Sequence, residues 1–177
     1  MILQSCNALF NKSFFAIFLC LLFISSCNLK SGTEQELVQI NAMLDSWNEA
    51  AAQGDFNNYF NCLTEDAVFI GTDATEYWDK KSFMDWAKPY FDRRKAWDFK
   101  SLERNVYFDQ GGNIAWFDEL LNTQMKLCRG SGVLIKDGQD WKIQHYVLSM
   151  TIPNDYTDTV VKIKAPIEDK IIEARKK

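Results

Sequence analysis

The sequence predicts an α+β domain in which helices pack against one face of a curved antiparallel sheet. Apolar residues recur at helical spacing after Glu34, and from Phe99 onward four segments rich in β-branched and aromatic residues are separated by turn signals. Helices followed by a strand meander is the element order of an α+β fold. Without its predicted leader the chain keeps about 150 residues, which suits one domain with a sizeable core.

The first thirty residues predict a bacterial lipoprotein signal peptide. Lys12 precedes an apolar run from Ser13 to Ile24, which is too short to span a bilayer core that needs about twenty helical residues. The junction ISSC, ending at Cys27, resembles a lipobox, the site at which signal peptidase II cleaves before a cysteine that receives the lipid. We therefore expect lipidation of Cys27 and a place in the cell envelope, anchored to a membrane. An uncleaved anchor, or a secretory signal with an incidental cysteine, is the alternative.

The net charge and the cysteine content of the mature domain indicate which partners and metal sites to expect. Lys12 is the only charged residue of the leader, so its removal takes the net charge from -4 to about -5. An acidic domain without a basic stripe predicts no nucleic-acid partner. Two thiols remain, Cys62 and Cys128, which are expected to be buried and free, although an oxidising compartment would allow them to pair. A single histidine and two distant cysteines predict no metal site, and no cofactor motif is seen.

Two helices and a short strand are predicted to open the domain. Gly54 should end the first helix and Asp55 should cap the second. The run AVFIG, residues Ala67 to Gly71, predicts a short buried strand. The apolar stripe of the first helix is Leu37, Ile40, Leu44, Trp47 and Ala51, and that of the second is Phe56, Tyr59, Phe60 and Leu63.

A third helix and the sheet follow a polar turn. Asp79 or Ser82 is expected to begin this helix, and Pro89 should kink or divide it. The sequences Gln110–Asn113 and Asp137–Gly138 are strong hairpin signals between the later strands. The apolar face of the third helix is predicted to bury Phe83, Trp86, Tyr90 and Phe91.

A C-terminal helix is allowed beyond Pro153, which closes the last strand. Isoleucines at 163, 167 and 171 have helical spacing, and Pro166 is tolerated only near the start of such a helix.

Five local motifs resemble the SnoaL-like branch of the nuclear transport factor 2-like superfamily. They occur in the same order over roughly residues 35–155. That resemblance implies a cone-shaped fold, a curved sheet wrapped around the N-terminal helices, whose interior can hold an apolar ligand. The chain then divides into a signal peptide (1–26), a lipidated tether (27–34), the SnoaL-like domain (35–155) and a helical extension (156–177). The motifs are EDAVFIGTDATEYW (Glu65–Trp78), KPYF (Lys88–Phe91), AWFDELL (Ala115–Leu121), CRGSGVL (Cys128–Leu134) and DWKIQHYVLSMTIPN (Asp140–Asn154).

The aromatic residues of the predicted cone are candidates for a ligand-binding wall. Pockets for small molecules are mostly apolar, with a few fixed polar groups. The same rings could instead simply fill the core. The candidates are Trp47, Tyr59, Phe69, Trp78, Trp97 and Trp116.

Three polar residues are candidates for chemistry in that cavity. Asp118 lies mid-strand beside Glu119, and because adjacent strand residues face opposite sides, one acid should face the interior. An interior Asp118 could act as a general base, with Arg129 as its diagonal partner on the next strand if the hairpin turns near residues 122–125. A purely structural Asp–Arg pair is the alternative. His145 is the second candidate base, or else a structural strand histidine.

Three functions are therefore in competition. The first is a binding domain on a membrane that holds a small apolar or amphipathic ligand. The second is an isomerase-, cyclase- or dehydratase-type enzyme that uses Asp118 or His145 as its base. The third is an interaction module that forms homodimers through the outer sheet face, which would then carry an apolar patch.

Overall fold

The computed structural model describes residues 33–176, so the predicted signal peptide and Cys27 lie outside the described residues. Helix α1 covers residues 33–53 of this range. The other helices are α2 (Phe56–Asn61), α3 (Lys80–Phe91) and α4 (Thr157–Arg175), with a 3-10 turn at Asn154–Tyr156 before α4. The strands are β1 (Leu63–Ile70), β2 (Tyr77–Asp79), β3 (Lys100–Phe108), β4 (Ile114–Thr123), β5 (Lys126–Asp137) and β6 (Asp140–Met150).

The six strands form one curved, unclosed sheet in the order β2-β1-β6-β5-β4-β3. The predicted antiparallel meander is confirmed for β3 to β6. Strand β1 differs, because it joins the sheet beside β6 in a parallel pair, with Phe69 opposite Tyr146. The three-residue β2 was not predicted. It lies in the segment that was expected to be a polar turn, and it pairs with β1 in an antiparallel manner.

The predicted helix boundaries follow from local hydrogen bonds. Gly54 ends α1 with a φ of 69°, a backbone conformation that glycine adopts without strain. Asp55 caps α2 by accepting from the backbone N–H of Asn58 at 3.1 Å. Of the two candidates, Asp79 is the cap of α3, and its carboxylate accepts from Ser82 N–H at 2.7 Å.

Two of the three prolines lie within helices. Pro89 sits in the last turn of α3, so the helix ends two residues later. Pro166 was expected only near a helix start, yet it lies in the middle of α4. The carbonyl that loses its partner there can bond to water, because α4 buries none of its residues.

The core lies between the helices and the inner face of the sheet. The α1 stripe is confirmed at its buried positions, whereas Leu37 at its start is 37% exposed. On α3, Phe83 and Phe91 are buried as predicted, but Trp86 and Tyr90 are 39% and 37% exposed. The inward-facing residues of β4 are Ala115, Phe117, Glu119, Leu121 and Thr123.

Two glycines of β5 let aromatic rings lie directly on the sheet. A Cβ at Gly132 would come within 2.7 Å of the Phe117 ring, and one at Gly130 would lie 2.9 Å from Cζ of Tyr146. Either distance is far below van der Waals contact. The glycines of the CRGSGVL motif therefore have a packing role.

Candidate ligand pocket

A small aromatic pocket lies at one end of the layer between the helices and the sheet. Its volume is about 180 Å³. Strands β1 and β2, helix α3, the segment between α3 and β3, and the β4–β5 turn all contribute to it. The lining residues are Phe69, Gly71, Thr72, Glu76, Trp78, Phe83, Trp86, Trp97, Phe99, Gln124, Met125 and Leu148.

Four rings of the pocket lie nearly parallel to the ring of Phe83, while Trp86 is tilted by 31° from Trp78 and by 33° from Trp97. Three indoles lie within 22° of the plane of Phe83, at centroid distances of 5.5 Å for Trp78, 6.0 Å for Trp86 and 6.0 Å for Trp97. Phe69 stacks on the same ring at 4.1 Å and 20°. Aligned ring faces favour a flat ligand that can stack in an offset arrangement.

Helix α3 and the turn after β1 position these groups. The cap at Asp79 starts α3 so that Phe83 and Trp86, three residues apart, project from neighbouring positions on one side of the helix. In the turn, Gly71 N–H donates to the Glu76 carbonyl at 3.0 Å. The chain therefore folds back, and Glu76 lies against Gly71.

Among the residues that the structure describes, Glu76 is the only charged side chain that lines the pocket. Its Oε2 accepts from the backbone N–H of Asp73 at 3.1 Å. A Cβ at Gly71 would lie 3.0 Å from Cβ and Cδ of Glu76 and closer still to Oε2. The absence of a side chain at Gly71 therefore leaves the room that the Glu76 carboxylate occupies.

A buried polar network, which the sequence analysis missed, lies behind the pocket. Glu119 is 1% exposed, and its Oε2 accepts from Arg104 Nε at 3.0 Å. Its Oε1 accepts from the Tyr146 hydroxyl at 3.2 Å. Arg104 continues to α1, where Nη1 lies 2.9 Å from Asp45 Oδ1 and 3.2 Å from Asn41 Oδ1.

This network joins α1 to three strands rather than opening to the pocket. Burial raises the pKa of Glu119, although the nearby Arg104 opposes that rise. Burial likewise raises the pKa of Tyr146 well above its ordinary value. The Phe69 ring stacks on Tyr146 at 5.4 Å and lines the pocket, so it separates the network from a ligand. Because both Glu119 oxygens are already bonded, the carboxylate holds the helix on the sheet.

Three of the six predicted aromatic residues, Phe69, Trp78 and Trp97, line the pocket. Trp47 and Tyr59 are core residues instead, stacked on each other at 5.1 Å. Neither Nε1 of Trp47 nor the Tyr59 hydroxyl makes a well-formed hydrogen bond, although both atoms are buried. Burial raises the pKa of Tyr59 well above its ordinary value.

The remaining candidates lie on the outer face of the sheet. The sequence left open which of the two adjacent acids faces the interior; Glu119 takes the inner position on β4, and Asp118 lies on the outer face. The predicted register is confirmed: Asp118 is opposite Ser131, and its Oδ1 lies 3.8 Å from Nη1 of Arg129. Both side chains of this pair are partly exposed.

Trp116 and His145 share that outer face. Trp116 is 46% exposed, and His145 lies beside Val133 on β5 and Val68 on β1. The sheet thus separates Trp116, Asp118, Arg129 and His145 from the pocket. The catalytic roles of Asp118 and His145 stay predictions, and the cavity lies on the other side of the sheet.

The described part of the chain, residues 33–176, contains no cluster of three or more His, Cys, Asp or Glu side chains that could hold a metal ion. Within the same residues no helix is long and apolar enough to cross a membrane. Cys62 and Cys128 are free thiols in this structure, and Cys128 is buried.

Comparisons with known proteins agree with this architecture. A nuclear transport factor 2-like protein of unknown function from Pseudomonas putida has a TM-score of 0.58 at 14% identity, over 71% of this chain and 91% of that one. A candidate dehydratase of the same superfamily from Streptomyces avermitilis has a TM-score of 0.59 at 13% identity, over 68% and 99%. A candidate scytalone dehydratase from Novosphingobium aromaticivorans has a TM-score of 0.57 at 10% identity, over 70% and 89%. At these identities the likeness shows the fold alone.

Sequence comparison identifies the family. No curated protein matches the chain significantly. The family model described as the SnoaL-like domain matches residues 40–153, well over half of the 177 residues. The chain therefore belongs to the SnoaL-like domain family, and its fold is that of nuclear transport factor 2-like proteins.

Proposed function

We propose that this domain binds a small, flat, apolar or amphipathic molecule in the aromatic pocket. The observation that carries this proposal is a pocket of about 180 Å³ whose lining includes Phe83 and three indoles that lie within 22° of its ring plane. An apolar cavity of about 150 Å³ is enough to bind benzene, whereas drug-sized ligands need about 300–1,000 Å³. The pocket therefore suits a ligand built on a single ring.

Filling the pocket tests this proposal. Met125 lines the cavity, and Met125→Trp adds an indole there, whereas Met150→Trp makes the same change at a site that is 53% exposed outside it. Calorimetric titration of the full chain in detergent with 3-tert-butylphenol should give binding that Met125→Trp abolishes and Met150→Trp leaves unchanged. Binding that survives the filled pocket would place the ligand elsewhere and reject the proposal.

The proposal includes display of the domain on a bacterial membrane through lipid on Cys27. Its support is the lipobox-like ISSC junction after a short apolar run. Three acyl chains contribute about 0.8 kcal/mol per buried methylene, enough for stable anchoring. Mass spectrometry of the natively purified protein should give the mass of a chain that begins at Cys27 and carries the lipid. An intact leader, or an unmodified Cys27, would contradict this.

A second candidate function, homodimerisation, is supported by the outer face of the sheet. Neighbouring strands place exposed or partly exposed apolar side chains side by side there: Tyr107 pairs with Trp116, which pairs with Val133, and Ile114 pairs with Ile135. The Tyr107 and Trp116 rings stack at 6.0 Å and are 47% and 46% exposed. A contiguous exposed apolar patch of this kind is typical of a protein–protein interface.

Charge introduced into this patch tests the dimer. Trp116→Arg should leave the full chain monomeric in cross-linking, because burying an unpaired charge in an apolar interface is costly. Tyr156→Arg is the matched control, since Tyr156 is 63% exposed and lies outside the sheet. A wild-type chain that does not cross-link, or a Trp116→Arg variant that still does, would reject this interface.

A further inference from the structure

The charge balance of the aromatic pocket points to the class of ligand. Within residues 33–176 its lining contains three tryptophans and one carboxylate, and no lysine, arginine or histidine. We infer that the pocket selects a small organic cation, such as a ring bearing a quaternary ammonium group, over a neutral molecule of the same shape. This inference rests on the proposed function and adds the ligand's charge to it.

The indole rings of the pocket can attract a cation. A cation within about 6 Å of a ring centroid is attracted by the ring quadrupole, most strongly by tryptophan. The Trp78 and Trp86 centroids are 4.7 Å apart, and those of Trp86 and Trp97 are 6.4 Å apart, so a cation in the pocket can lie within range of more than one indole.

These three indoles are not used by the protein's own cations. The cation–π contacts of the described residues are Lys88 over Phe56, Arg93 over Tyr90 and Lys136 over Trp141. None of them involves Trp78, Trp86 or Trp97. The protein's own cations therefore do not compete with a ligand for these indoles.

The Glu76 carboxylate adds a negative charge to the lining of the pocket. Its Oε2 accepts from Asp73 N–H at 3.1 Å, which holds the side chain in the lining of the pocket. Gly71 leaves the space in which this carboxylate lies. Glu76 is half-buried, so solvent screens its charge less than that of a fully exposed side chain, and one negative charge held there favours a cation and opposes an anion.

Basic side chains occur nearby but in a different place. Arg93, Lys95 and Lys100 line an open groove of about 600 Å³ that shares Trp97 and Gln124 with the pocket. All three are exposed to solvent, and Asp98 lies among them. Water and salt screen such exposed charges, so they affect a ligand inside the pocket less than Glu76 does.

A pair of probes that differ only in charge tests the inference. The cation (3-hydroxyphenyl)trimethylammonium and the neutral 3-tert-butylphenol have the same shape and the same hydroxyl group. A desolvated cation–π contact contributes up to about 2 kcal/mol, and 1.4 kcal/mol is a tenfold change in affinity. We expect calorimetry on the full chain in detergent to give at least tenfold tighter binding of the cation.

Variants of Glu76 and Gly71 test the role of the carboxylate. Glu76→Gln should weaken the cation at least fivefold and leave the phenol unchanged. Gly71→Ala should also weaken binding of the cation, because the added Cβ displaces the Glu76 side chain. Glu103→Gln is the control: it removes the same charge from an exposed position on β3, away from the pocket, and should change neither affinity.

The outcomes distinguish selection of a cation from binding in the pocket as such. Phenol binding as tight as that of the cation would overturn the inference and leave the proposed apolar pocket intact. Failure of both probes to bind would overturn the two together. An equal loss of both probes in Glu76→Gln would show that Glu76 shapes the pocket without selecting charge, which also overturns the inference.

Discussion

Substitution of Gly130 by alanine should break the buried contact between Tyr146 and Glu119. The added methyl group would lie 2.9 Å from Cζ of Tyr146 and 3.1 Å from Cγ of Glu119, and closer still to the Tyr146 hydroxyl. The tyrosine ring cannot move away freely, because it packs against Trp47 at 4.9 Å and Phe69 at 5.4 Å. Either the ring or strand β5 must shift.

The magnitude follows from three contributions. Overpacking of a core costs about 1–3 kcal/mol. Loss of the hydrogen bond from Tyr146 to the Glu119 carboxylate costs about 1.5–3 kcal/mol. Against these, alanine reduces the entropy of the unfolded chain and contributes about 0.4–1 kcal/mol. The expected net loss is about 2–5 kcal/mol, or roughly 5 to 15 °C in melting temperature for a domain of this size.

A double-mutant cycle with Tyr146→Phe identifies the cause. Removal of the hydroxyl eliminates the closest contact of the new methyl group, so Gly130→Ala should cost about 1–2 kcal/mol less in the Tyr146→Phe background than in wild type. Chemical denaturation followed by tryptophan fluorescence measures each corner of the cycle. A cost below about 0.5 kcal/mol for Gly130→Ala, or no coupling to Tyr146, would refute the proposed role of the glycine.

Further predictions concern a thiol, a helix cap and the buried acid. Burial raises the pKa of Cys62 to about 11, so alkylation by iodoacetamide should be slow at pH 7 and accelerate only as the pH approaches that value; rapid modification at pH 7 would contradict this. Asp79→Ala removes the cap of α3 and should lower the free energy of unfolding by about 1 kcal/mol, measured by denaturation, whereas an unchanged midpoint would show that the cap is dispensable. Burial raises the pKa of the Glu119 carboxyl above its ordinary value of 4.5, so the folded state retains a proton that the unfolded state releases. The stability that this group contributes is therefore lost as the pH rises from about 4.5 through the higher pKa of the folded state. The destabilisation caused by Glu119→Gln should therefore be smaller at pH 7 than at pH 4, and a destabilisation that grows with pH would be the contrary result.

The position of the buried acid could not be derived from strand periodicity. In β4 the residues Trp116, Asp118 and Leu120 form one face and Phe117, Glu119 and Leu121 form the other, so both faces consist of an aromatic residue, an acid and a leucine. A shift of one residue exchanges the two faces without changing the pattern. Arg104 and Tyr146 on other strands distinguish them, and their partnership with Glu119 is a tertiary contact.

Local signals succeeded where local chemistry determines the structure. Gly54, Asp55 and Asp79 mark helix ends at the predicted places, since each acts through its own turn of backbone. Trp86 has the spacing of a buried residue, but its side chain lines the pocket. Its indole therefore remains partly exposed. Helical spacing predicts which face is apolar, and cannot predict whether a cavity lies against it.

The parallel pairing of β1 with β6 has a consequence for the order in which the chain can fold. The strand formed by Leu63–Ile70 has β6, more than seventy residues further along, as its central neighbour, and the other partner of β1 is only three residues long. During synthesis β1 therefore lacks its main partner until residue 150 is available, while the hairpins of β3, β4 and β5 can form earlier. Non-local closure of this kind slows folding, and a truncated chain without β6 would leave β1 with an open edge for aggregation.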